Sequence, residues 1–65
     1  MTKAWIKYQI QKLEAQVEVA RDQWRMSKRA GNEAYALYWV EVGKGLNYDI
    51  DALKRALAEI EGQSS

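Results

Sequence analysis

Residues 38–49 read YWVEVGKGLNYD, with Gly43 and Gly45 on either side of Lys44 and an apolar stretch on each flank. If GKG is a loop, the chain breaks into three short pieces. If it lies inside a helix, the second half of the protein is one long rod. The apolar spacing on both sides decides between these readings. Ala36, Trp39, Gly43, Leu46, Ile50, Leu53, Leu57 and Ile60 follow one another in alternating steps of three and four, and the phase runs through GKG without a slip. A seam of that period belongs to a helix packed lengthwise on another helix. Two interior glycines cost such a helix roughly 2 kcal/mol relative to alanine. A break at 43–47, with Asn47 or Asp49 capping a fresh helix, is the alternative the sequence leaves open.

The first half carries a matching seam: Ile6, Ile10, Leu13, Val17, Ala20 and Trp24, with Ser27 continuing the phase. Proline is absent, and Ala, Leu, Glu, Lys, Gln and Arg dominate, so local propensity favours helix throughout. Thr2 is placed to cap the first helix. Lys28 and Arg29 suit the negative end of its dipole, Gly31 suits a left-handed C′ position, and Asn32 with Glu33 suits the start of a second helix. The segment YALYWVEV favours strand by composition but has no partner strand, which would leave its backbone groups unpaired. The expected fold is all-α: an antiparallel two-helix hairpin, coiled-coil-like, with helix 1 over 3–30, a turn at 31–32 and helix 2 over 33–61, a bend at 43–47 being left open. Arms of about 28 residues would each run roughly 42 Å. Folding at Gly31 brings Trp24 towards Trp39 and Gly43, and the sequence suggests that Gly43 makes room for the Trp24 indole. In length and heptad pattern the chain resembles small helical-hairpin dimers such as ROP, a likeness of architecture alone that transfers no function.

Sixty-five residues form one domain at most and bury little surface. Cysteine and histidine are both absent, so neither disulfides nor a zinc site can staple the fold, and association becomes the expected remedy. No stretch reads as a signal peptide or membrane span, and a cytoplasmic protein is expected. The formal net charge is +1, which argues against a strong general attraction to nucleic acid or membrane. The first half is basic and the second acidic, as expected of neighbouring helices whose flanking charges pair.

A pair of helices can hide one stripe each, yet apolar residues remain. Helix 2 carries a second row of Tyr35, Tyr38, Val42, Ala52 and Ala56, with Leu37, Trp39 and Val40 making residues 35–42 apolar nearly all round. Helix 1 adds Trp5, Tyr8, Val19 and Met26. Such a surplus asks for cover. The leading expectation is a non-enzymatic interaction module that self-associates into a four-helix bundle or higher oligomer, a dimer being favoured, through Tyr35, Leu37, Tyr38, Trp39 and Val42. A small inhibitor or adaptor that docks another protein through the same aromatics is compatible with this. The alternative is a binder of nucleic acid or a phosphate ligand. Arg21, Arg25, Lys28 and Arg29 share a helical face near the turn, and Lys44 could join from the other arm.

Catalysis has little to build on. GKG lacks the further glycine and the Ser/Thr of a phosphate loop and follows no strand. Without histidine or cysteine the commonest base and thiol nucleophile are missing, and Ser27 has no base nearby. The acid pairs Glu14–Glu18, Asp49–Asp51 and Glu59–Glu61 are too sparse for an oxygen-ligated metal. No catalytic residue, metal or cofactor is expected.

Overall fold

The computed structural model describes residues 2–63, and they form two helices: α1, Lys3–Arg29, and α2, Glu33–Gln63. They pack along their length as an antiparallel hairpin about 52 Å long. α2 is helical through Gly43, Lys44 and Gly45, so the unbroken apolar phase, not the glycine content, decides the reading of this stretch.

Each end of α1 is closed by the residues its sequence supplies. The Thr2 hydroxyl accepts from the Trp5 backbone N–H at 3.1 Å, satisfying one of the orphan donors of the first turn. At the other end Gly31 takes φ +73°, the left-handed conformation that glycine adopts without penalty. The Gly31 N–H donates to the Lys28 carbonyl at 3.1 Å and the Asn32 N–H to the Ser27 carbonyl at 2.9 Å, the paired bonds of a Schellman C-cap. Asn32 also opens α2, since its Oδ1 accepts from the Tyr35 N–H at 3.1 Å. One residue therefore closes one helix and starts the next, which is why the reversal is so short.

The interface between the arms is uneven. From the middle of the hairpin to the chain ends, Ile6, Ile10 and Ile50 form a buried cluster flanked by Leu13, Val17, Leu53, Ala56, Leu57 and Ile60. Ile6 is 0% exposed. Towards the turn the buried residues are small: Ala20, Ser27 and Ala36. The Ser27 hydroxyl, which would be costly to bury unpaired, donates to the Gln23 carbonyl at 2.8 Å.

The small contacts overturn one expectation. Trp24 does not fill a space left by Gly43. It remains 38% exposed, and a Cβ added to Gly43 would meet nothing within 4 Å. Where alanine and serine occupy the seam the helices approach closely, and the Trp24 ring lies towards the groove beside it.

Candidate functional site

At about 100° per residue, the side chains outside the seam fall on two opposite faces of the hairpin. On α1, Trp5, Lys12, Val19 and Met26 lie to one side of the seam, Tyr8 lies at the back, and Lys3, Lys7, Glu14, Glu18, Arg21, Arg25 and Lys28 lie to the other side. On α2 the same count puts Tyr35, Tyr38, Val42, Asp49, Ala52, Ala56 and Glu59 on one side and Glu33, Lys44, Asp51 and Lys54 on the other. Because the helices run antiparallel, the two apolar flanks come to the same side. Met26 and Tyr35, from different helices, line one shallow hollow with Gln23, Ser27 and Ala30. On the opposite side Glu14, Glu18 and Arg21 share a polar hollow with Asp51 and Lys54.

Ion pairs across the hairpin stay on that charged side. Lys28 meets Glu33 at 3.0 Å, Lys3 meets Glu61 at 3.5 Å and Lys54 meets Glu14 at 4.0 Å. Two of the three join a basic residue of α1 to an acid of α2, in keeping with the opposite charge of the two halves. All are solvent-exposed, so each contributes at most about 1 kcal/mol, and their main effect is to fix which edges of the helices meet.

The apolar side centres on three rings. Tyr35 and Tyr38 stack with centroids 5.8 Å apart and planes 2° from parallel. Trp39 stands nearly perpendicular to both, with centroids 5.7 Å from Tyr35 and 5.1 Å from Tyr38. These geometries are the favourable ones for aromatic pairs. The rings pack on one another, yet Tyr35 is 46% and Tyr38 55% exposed. Val42, one turn further on, is half-buried. Leu37 does not belong with them: it is 64% exposed and its position in the helical count carries it round to the far flank. Being next to Tyr38 in sequence does not make it a neighbour on a helix surface.

Of the basic residues near the turn, Arg21 lies 3.4 Å from Glu18, Arg25 lies 3.4 Å from Asp22, and Lys28 is held by both carboxylate oxygens of Glu33. Lys44 lies 3.4 Å from Glu41 on its own helix. Each cation thus has an acid beside it, and Arg29, at the last turn of α1, faces the carbonyl end of the helix dipole. Arg21 and Lys44 do come together across the hairpin. They rim an open hollow of about 240 Å³ that also takes in Trp24, Trp39, Gly43 and Asn47. Sequence reasoning missed this hollow because it took the space to be filled by Trp24. The Trp39 indole N–H is buried and has no hydrogen-bond partner. Among the described residues no group of three or more acidic side chains gathers as a metal site, and no helix is long and apolar enough to cross a membrane. No protein-family model, curated protein or solved structure matches the chain.

Proposed function

We propose that the protein is a non-enzymatic interaction module that self-associates through its apolar, aromatic face, two hairpins packing as a four-helix bundle. The observation that carries this reading is the segregation of side chains. Trp5, Val19, Met26, Tyr35, Tyr38 and Val42 share one face on which the charged residues are Lys12, Asp49 and Glu59, while the ionic pairing across the hairpin occupies the other. An exposed apolar face of that extent is unfavourable in water and favours association. The hairpin alone buries few residues, so association also supplies core that one chain lacks. The stacked tyrosines are ordered before binding, which reduces the side-chain entropy lost on docking.

Static light scattering coupled to size exclusion tests the proposal. The expected mass is a multiple of 7.5 kDa, with a melting temperature that rises with protein concentration. Tyr38→Glu places a charge in the middle of the face and should yield a monomer that keeps its helical circular dichroism. A wild-type protein that is monomeric at high concentration and melts independently of concentration overturns the reading.

A phosphate or nucleic-acid ligand is the second reading, favoured by one observation: Arg21 and Lys44 converge on the hollow beside Trp24 and Trp39. Affinity for a single-stranded oligonucleotide that falls steeply with salt would support it.

A further inference from the structure

Resting on the self-association reading, we infer that the partner is a second copy seated face to face with its turn at the same end, and that Lys12 and Asp49 set this orientation. Lys12 and Asp49 are the charges in the central part of the apolar face, with Glu59 on the same side nearer the chain ends, and neither Lys12 nor Asp49 forms an ion pair among the described residues. Burying them without partners would oppose association. Two hairpins can cover each other's faces about a two-fold axis in two ways, and the positions of these charges separate them.

With turns at opposite ends, each helix crosses its own copy in antiparallel fashion, centre over centre. Asp49 lies one residue from the middle of α2, Glu33–Gln63, so this arrangement stacks Asp49 against Asp49 of the second copy. Lys12, well off the middle of α1, Lys3–Arg29, stays distant. With turns at the same end, α1 lies on α2 of the second copy. Asp49 is level with Gln16 and Val17, as shown by the hollow that Val17 shares with its neighbours Asn47, Ile50 and Asp51. Lys12 is then about one helical turn, roughly 6 Å, from Asp49 of the second copy, a gap its side chain spans. Gln16, on the same edge of α1, can donate its amide to that carboxylate. The face measures about 52 by 14 Å between Cα extremes, or roughly 700 Å², close to the ~800 Å² per partner of a stable interface.

The test uses the absence of cysteine. A spin label on Arg29→Cys, exposed at the turn end of α1, reports the distance between copies by pulsed electron resonance. The expected distance is below about 30 Å; turns at opposite ends would give about 40 Å or more, the length of α1. Alongside, Lys12→Glu and Asp49→Lys should each weaken the dimer about tenfold, and the double variant should restore it to within about twofold. A dimer with the long distance, or one indifferent to both reversals, overturns the orientation but leaves self-association intact. A wild-type protein that light scattering finds monomeric removes the underlying reading and this inference with it.

Discussion

Replacing Gly43 with alanine has an outcome whose sign depends on the packing around one atom. Were the Trp24 indole seated against Gly43, a new methyl group would overpack the seam and destabilise the fold by about 1–3 kcal/mol. The structure places no atom within 4 Å of that Cβ, and the backbone there is ordinary helix. What remains is the conformational freedom that glycine loses on folding, so Gly43→Ala should stabilise by about 0.5–1 kcal/mol. In a chain of this size that corresponds to a rise in melting temperature of roughly 3–8 °C. Thermal unfolding followed by circular dichroism at 222 nm, at matched protein concentration, measures it. A drop of several degrees would show that the indole fills the groove and would refute the account of the turn-proximal seam.

Other substitutions probe the uneven core and the reversal. Ile6→Ala empties a fully buried position and should cost about 2–5 kcal/mol in chemical denaturation, enough to unfold much of a small hairpin. Ala20→Gly, at a site already small, should cost about 1 kcal/mol, the helix-propensity difference. Gly31→Ala forces a side chain into the left-handed region and should lower stability by about 1–2 kcal/mol, read as an earlier melting midpoint. Asn32→Ala removes the acceptor for the Tyr35 N–H, at a cost of about 0.5–2 kcal/mol.

Most of the backbone was legible in the sequence because strong local signals agreed there. Thr2, Gly31 and Asn32 each do what their chemistry suggests, and α2 ends at Gln63 where residue 61 was expected. Phase carried the reading through Gly43 and Gly45, since a helix tolerates a modest propensity deficit when its apolar stripe is continuous. The candidate site was only partly visible. Periodicity placed Tyr35, Tyr38 and Val42 in one row, while Leu37 joined them only because residues 35–42 are apolar on nearly every side. Pairing Trp24 with Gly43 failed for a different reason: helical spacing says which residues face the seam and nothing about its depth. That depth follows from Ala20, Ser27 and Ala36 acting together. Likewise, Arg21, Arg25 and Lys28 were grouped as one basic face, whereas each has an acid three residues away or across the turn.

The uneven seam has a kinetic consequence. The reversal at Gly31 and Asn32 brings together residues close in sequence, so those contacts close quickly and cheaply. The isoleucine cluster unites Ile6 and Ile10 with Ile50, positions 40 to 44 residues apart, and these can meet only after the arms have zipped. Speed and endurance therefore reside at opposite ends of the rod. Lesions in the reversal should chiefly slow folding, while lesions in the isoleucine cluster should chiefly hasten unfolding.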